Sequence, residues 1–347
     1  MSNDPFVVLT EAAPRFSAAG ATAALLQHFG IDGTLETIDS ERDQNFHVRA
    51  ASGEQFVLKV ANSAEDTGVT DLQNQALRHI EQADPDFPVP RLHKTLDGEL
   101  SATAVADDGR EHVLRLLSWL DGTPLRFVSD ARDVAAPMGH CLARLDRALQ
   151  GFEHPSEDYS LLWDIKRAGS LTGLLDNIED LGLRDTCAGL LAHFATSISP
   201  ALQEMRWQFI HNDLNPGNVL VERGSINTLA GVIDFGDAVR SPLIIDVAVA
   251  TAYLCQADED PFADVVQFLA AYTSDLPLLQ QEIEVLCDLI LMRNVLTILI
   301  ANWRAARFPE NRDYILRSEE KARNTIIRIN ALSRQSVAER FLDACNN

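Results

Sequence analysis

The sequence holds 347 residues, 46% of them hydrophobic, with 51 acidic side chains against 29 lysines and arginines and a formal charge of −22. That length suits one large domain or two modest ones. A surface so acidic repels phosphate backbones and anionic bilayers, which excludes sequence-independent nucleic-acid or membrane binding, and it draws in cationic ligands such as amines.

Cys141, Cys187, Cys255, Cys287 and Cys345 are too scattered for a CxxC metal knuckle. An odd, sparse set in apolar, helix-like stretches reads as buried thiols of a reducing compartment. The opening MSNDPFVV lacks the basic and apolar regions of a signal peptide. The apolar windows Leu243–Cys255 and Leu286–Ala301 are broken by Asp246, and by Asp288 and Arg293. Neither reaches the roughly 18 clean apolar residues of a membrane span. The expectation is a cytoplasmic protein.

Residues 17–29 (SAAGATAALLQHF) read as a short amphipathic helix with Ser17 as N-cap. Strand-like runs follow at 35–38, 45–50 and 55–60, the last two alternating about Ser52–Gly53 as a hairpin. Over 70–82, Leu72, Ala76, Leu77 and Ile80 share one helical stripe. Strand patterns return at 100–105 and 112–119, separated by the turn Asp107–Gly109. After Leu120-Asp121-Gly122-Thr123-Pro124 the pattern is helical over 130–150 and 184–206. A β-like island covers 208–237, and from 244 onward the chain is almost wholly helical. The fold class expected is α+β, a mostly β N-terminal third leading into a larger α-rich part, with no repeat or low-complexity tract.

The island carries the chemistry. It reads FIHNDLNPGNVLVERGSINTLAGVIDFGDA from Phe209 to Ala238. Asn218 leads into the apolar run Val219–Val221, and a second strand from Leu229 to Ile233 ends at Asp234. Paired antiparallel, these strands finish with Asn218 and Asp234 at one end, and Asp213 can sit beside them on a loop tightened by Pro216 and Gly217. Two carboxylates and an amide oxygen suit a hard cation such as Mg²⁺, which shares its oxygen ligands with phosphates. The chemistry implied is phosphoryl transfer, with Asn218 and Asp234 on the metal and Asp213 accepting the proton of an attacking hydroxyl. The bland alternative makes Asp213 and Asn218 ordinary turn residues. The H-x-D-x-x-x-x-N string followed by D-F-G weighs against it.

These motifs resemble the aminoglycoside phosphotransferase/choline kinase superfamily, which is similar to protein kinases in fold. Within it, the nearest likeness is to hydroxylysine kinases and to kinase-like domains fused to class III aminotransferases. SERDQNF (40–46), FVLKVAN (56–62), LRLLSWLDGTP (114–124), LLWDI (161–165), HNDLNPGN (211–218) and IDFGD (233–237) carry it. The resemblance implies a protein-kinase-like bilobal fold, with residues 1–118 as the nucleotide-covering N-lobe and 119–347 as the C-lobe. It implies that Lys59 holds the α/β-phosphates, and that Ser40, Arg42 or Gln44 meets the nucleotide from a hairpin lacking the repeated glycines. Leu117 to Leu120, Trp119 included, would form the hinge beside the purine base. His211 would pack the catalytic loop from behind, and Asp246 would buttress it through hydrogen bonds. Only 12 positions separate Asp234 from Asp246, too few for a long activation segment, which favours a small substrate.

Two departures stand out. The helix that should present a Glu to Lys59 carries Gln73 and Gln75, so Gln73 serves weakly or Glu65 or Glu81 reaches in. Asn212 and Asn215 replace the Gly and His often found in this loop. The acceptor expected is an amine-bearing alcohol; homoserine, choline- or ethanolamine-type alcohols and aminoglycosides all qualify. The subfamily likeness favours 5-hydroxylysine, with Mg²⁺ and ATP or GTP. Asp164 and Asp237 are candidate anions for its ammonium groups, and Arg293 and Arg304 candidate cations for its carboxylate. A monomer or homodimer is expected. The rival reading is a nucleotide-binding pseudokinase acting as an interaction module; the missing helix Glu supports it, and the presence of Lys59, Asp213, Asn218 and Asp234 opposes it.

Overall fold

The computed structural model describes residues 6, 10–40, 42–128, 133–255 and 260–346. Most of MSNDPFVV, Glu41 of SERDQNF and the start of the helix expected over 130–150 lie outside the described residues. The chain divides into two units. One comprises Met1–Gly122, Phe152–Ser160 and Ala230–Ile233, the other Thr123–Gly151, Leu161–Leu229 and Asp234–Asn347.

In the first unit, α1 (Ala18–Phe29) begins where Ser17 Oγ accepts the Gly20 N–H. It stops at Gly30, whose φ of 69° lets its N–H reach back to Leu26 O. The elements that follow are β1 (Gly33–Ile38), β2 (Gln44–Ala50), β3 (Gln55–Val60), α2 (Thr67–Ala83), β4 (Leu92–His93), β5 (Ala102–Val105) and β6 (Glu111–Ser118). The strands β1 to β6 form one sheet in the order β1-β2-β3-β6-β4, with β5 also paired to β6. Alternation along the strands sends Phe46, Val48, Phe56, Leu58, Leu114 and Leu116 into a core shared with Leu25 and Phe29 of α1. Lys59 lies opposite Asn45 and Arg115 in the register, so these three share the other face.

The second unit holds β7 (Thr123–Pro124), α3 (Ala135–Ala148), a 3₁₀ stretch Ile165–Asn177, α4 (Leu181–His193), β8 (Trp207–Ile210), β9 (Val219–Glu222) and β10 (Ser225–Val232). The end of β10 counts with the first unit. Next come β11 (Val239–Pro242), α5 (Leu243–Leu254), α6 (Ala263–Asp275), α7 (Gln280–Arg307), α8 (Arg317–Asn330) and α9 (Arg334–Asn346). The helix expected over 184–206 is broken. Pro200 has no N–H for the Thr196 carbonyl, and a π turn at Phe194–Ile198 leads into the short helix Ser199–Leu202. α5 is apolar nearly all round because its neighbours bury it on every side, whereas α7, buried along most of its length, carries Asp288, Arg293, Asn294 and Asn302 among its buried residues. Among the described residues no helix is long and apolar enough to cross a membrane.

Two strand pairings aim the functional loops. β9 lies between β7 and β10 in a three-stranded sheet, which sets Asn218 at the start of β9. β8 and β11 pair antiparallel with Ile210 opposite Val239, so the loop leaving β8 and the turn entering β11 start side by side. That places His211–Asn218 next to Asp234–Ala238.

Candidate active site

Both segments use residues that tolerate strained backbone. Asn212 and Asp234 have φ of 61° and 65°, the left-handed region that Asn and Asp enter more readily than other side-chain-bearing residues. Asn212 Nδ2 donates to Asp237 O at 3.1 Å, tying the two segments together. His211 packs edge-on against Phe235, and its Nδ1 accepts the Asp213 N–H at 3.3 Å. Beneath the loop, the fully buried Asp246 accepts the backbone N–H of His211 (2.9 Å) and of Asn212 (2.8 Å). The contacts assigned to His211 and Asp246 from sequence are those of residues that shape the loop.

Asp213 is held from three sides. Its Oδ1 accepts from Arg293 Nη2 at 3.1 Å, and its Oδ2 from Asn215 Nδ2 (2.9 Å) and Asn218 Nδ2 (2.8 Å). Asn218 Nδ2 also donates to Asp213 O at 2.9 Å. The amide nitrogen is thus committed to Asp213, which leaves Oδ1 as the atom able to bind a cation. The Asp213 side chain keeps 19% of its surface exposed while Arg293 keeps 4%, so the carboxylate faces outward over a buried cation. Burial and the charge of Asp237 raise the Asp213 carboxyl to about 7, against the pull of Arg293 and Asn215, with Asp234 adding to the rise. Asp213, Asp234 and Asp237 therefore lie close enough to feel one another's charge.

Asn218 and Asp234 offer hard oxygen donors, with Asp234 Oδ1 also accepting the Gly236 N–H at 3.2 Å. Among the described residues no group of three His, Cys, Asp or Glu side chains is arranged to hold a metal ion. One amide and one carboxylate fall short of a complete shell, which fits an ion that completes its coordination with phosphate and water.

Several side chains expected to touch substrates are engaged elsewhere. Gln44 is clamped to the N-terminal segment, its amide taking the Phe16 N–H (2.8 Å) and giving to Phe16 O (2.9 Å), so its role in nucleotide contact is withdrawn. Ser40 Oγ accepts the Asp43 N–H at 3.3 Å within the turn before β2, and the Arg42 main-chain oxygen accepts from Asn62 Nδ2 at 3.0 Å, which ties that turn to the segment after β3. Gln73 Oε1 accepts from Arg115 Nη2 at 2.6 Å and Asn74 Oδ1 from Arg115 Nη1 at 3.3 Å. The α2 amides thus serve an arginine that the sequence reading passed over. Leu117 is buried in β6, and Trp119 stacks on His47 at 3.9 Å between ring centres while its N–H donates to Gln55 O. Leu120 packs near Gly231.

Asp164 is completely buried and paired with Lys166 Nζ at 2.5 Å and Arg167 Nε at 3.6 Å, where it caps the 3₁₀ stretch. A substrate ammonium would have to displace Lys166, so that assignment is also withdrawn. Arg293 is spoken for by Asp213. Arg304 stands about three turns further along α7, roughly 16 Å away by helical rise, too far to grip the same small carboxylate.

A family model described as a phosphotransferase enzyme family (APH) matches residues 34–280. The chain belongs to the APH phosphotransferase family. Curated relatives include hydroxylysine kinase of Mus musculus, 25% identical over 88% of this chain and 87% of that protein. Hydroxylysine kinase of Danio rerio is 25% identical over 96% of this chain and 97% of its own length. Among solved structures, a microcompartment-associated aminopropanol kinase matches with a TM-score of 0.66 at 18% identity, covering 95% of this chain and 98% of that one. The GDP complex of an aminoglycoside 2′-phosphotransferase-IIIa mutant matches with a TM-score of 0.63 at 17% identity, covering 91% and 100%. The α+β kinase-like fold and a phosphotransferase activity on a hydroxyl acceptor follow.

As an APH phosphotransferase, the chain holds Asp213 with residues that motif reading left without this role. Arg293 reaches it from α7, pressed between Trp163 (4.7 Å to the ring centre) and Tyr253 (5.7 Å) and bonded to Tyr253 Oη at 3.0 Å. A lone arginine in the apolar window Leu286–Ala301 was the available signal, because a buried cation requires a partner. Asn215 was visible only as a departure. Its Oδ1 accepts the Gly217 N–H at 2.6 Å, closing the turn that returns Asn218 to Asp213.

Proposed function

We propose that this enzyme transfers the γ-phosphoryl group of ATP or GTP to the hydroxyl of an amine-bearing alcohol, with 5-hydroxylysine the best candidate. The observation that carries the phosphoryl-transfer reading is the triple-held Asp213 beside Asn218, Asp234 and Asp237. The near full-length likeness to the Mus musculus and Danio rerio hydroxylysine kinases supports the acceptor. An acceptor ammonium is favoured by the acidic group around Asp213 and Asp237.

Asp213, ionised, accepts the proton of the attacking hydroxyl, and Arg293, Asn215 and Asn218 fix the direction in which its free lone pairs point. Asn218 and Asp234 are the residues that would hold Mg²⁺, whose contribution is to offset charge on the triphosphate. Lys59 supplies a compact point charge for the α/β-phosphates, and the half-buried segment Trp119–Leu120 serves the base. All five cysteines are free, with burial pushing the Cys141, Cys187, Cys255 and Cys287 thiols up to about 12, which suits a reducing cytoplasm.

The test crosses ATP and GTP with a panel of 5-hydroxylysine, homoserine, ethanolamine, choline and an aminoglycoside, reading nucleoside diphosphate release. Turnover with 5-hydroxylysine should dominate, and Asp213→Asn should lower it by about 10²–10⁴ with nucleotide affinity little changed. Preference for the aminoglycoside would reassign the acceptor. Mg²⁺-dependent nucleotide binding with no acceptor-dependent turnover would replace the kinase by a binding module.

A further inference from the structure

Behind the catalytic loop lie two carboxyls that the chemistry above does not consume. Asp146, near the end of α3, and Asp246, in the first turn of α5, are both completely buried. The two carboxyls lie near enough for each to bear on the other's charge, and Asp146 Oδ1 is buried without a hydrogen-bond partner among the described residues. A hydrogen bond between them requires a proton, because an ionised carboxylate has only acceptors to offer. Two buried carboxylates in contact also resist joint ionisation, since neither water nor distance dilutes their repulsion.

The surroundings decide where the proton sits. Asp246 faces the loop with both oxygens occupied by backbone donors, Oδ2 by His211 N–H and Oδ1 by Asn212 N–H, and the His211 ring adds its favourable influence. Burial raises the Asp246 carboxyl, and those contacts oppose the rise by favouring its ionised form. Asp146 has one donor on Oδ2, the Tyr272 hydroxyl of α6 at 2.7 Å, and among the described residues its buried Oδ1 meets no donor. Arg206, which precedes β8, also bears on Asp146 but is bound to Glu282 at 2.8 and 2.5 Å and to Pro277 O at 3.0 Å. Gln208 of β8 approaches only the Asp146 main-chain oxygen, at 3.0 Å.

We infer that Asp146 is a protonated positioning residue: its carboxylic acid donates to Asp246, so that Asp246 stays an ionised double acceptor and holds the backbone of His211 and Asn212, and hence Asp213, in place. Desolvation and the Asp246 charge hold the Asp146 carboxyl well above the ordinary range. One proton completes both orphaned requirements. α3 and α6 are thereby coupled, through Tyr272, to the loop that carries the base.

The role rests on the reading of Asp213 as the base, but its test has an arm that does not. Asparagine mimics a protonated aspartate, keeping a donor toward Asp246 and an acceptor for Tyr272. Urea unfolding of wild type and Asp146→Asn is measured at intervals from pH 5 to pH 8. The sign follows from linkage: a carboxyl raised in the native state contributes stability below its unfolded pKa and loses it as pH rises toward the native value. The unfolding constant of wild type relative to Asp146→Asn should therefore climb about tenfold per pH unit. A ratio that stays flat overturns the shared proton, whether or not the acceptor has been identified. In the activity arm, Asp146→Asn should keep kcat within about twofold while Asp146→Leu lowers it at least tenfold, with KM for nucleotide little changed in both. Asp146→Asn as damaged as Asp146→Leu would mean that the charge at 146, and not its proton, is what the loop needs.

Discussion

Arg293 and Asp213 form an ion pair whose two members are unequally exposed, and on the proposed reading of Asp213 as the base that asymmetry aims its carboxylate outward. The guanidinium is sealed among Trp163, Tyr253 and Asp213, while the carboxylate keeps an open edge. Burial and Asp237 push the Asp213 carboxyl up, and Arg293 is the largest influence pulling it down. Arg293→Gln removes that pull, so the carboxyl should hold its proton to a higher pH than the wild-type value of about 7. A base must be ionised to act, and kcat/KM for the acceptor should fall at neutral pH with its acid limb displaced upward. A pH–rate profile of the two proteins checks this. A limb that stays fixed while KM for the acceptor rises would instead make Arg293 a contact for the substrate carboxylate.

Elements explain why some of this was legible and some was not. Ser17, the Ser52–Gly53 hairpin and the stripe through Leu72 and Ile80 could be read because caps, turns and periodicity are local signals. The convergence of Asp213, Asn218 and Asp234 could be read because one loop and one strand ribbon bring these positions together. β11 could not: Val239–Pro242 is short and becomes a strand only because Trp207–Ile210 lies across from it. The 3₁₀ stretch Ile165–Asn177, with Gly169, Ser170 and Gly173, has no clean period, and the reach of Arg293 to Asp213 depends on how α7 packs. Gly139 shows the same dependence on packing. It lies where α3 crosses α6, and a Cβ there would stand 2.4 Å from Phe268 O. Alanine is the better helix former by about 1 kcal/mol, but forcing the backbones apart costs about 1–3 kcal/mol. Gly139→Ala should therefore lower the urea midpoint of unfolding; an unchanged or raised midpoint would show that α6 can yield.

At the scale of the whole molecule, the charge of −22 bears on encounter, while the site bears on selection. A field of that sign gathers cations from beyond contact distance, and its reach shrinks with salt, to about 10 Å at 0.1 M ionic strength. For 5-hydroxylysine or another amine-bearing acceptor, kcat/KM should fall several-fold as potassium chloride rises from about 20 mM to about 500 mM, where the screening length contracts below about 5 Å. The loss should sit in KM, because kcat reports a complex already formed and an Asp213 already screened by protein. Nucleotide is held saturating throughout so that its own salt sensitivity does not enter. An uncharged alcohol of similar size supplies the control, and its slow turnover should respond little to salt. Parallel losses for the two acceptors would remove the long-range field from the account, leaving ammonium recognition to the immediate neighbours of Asp213 and Asp237.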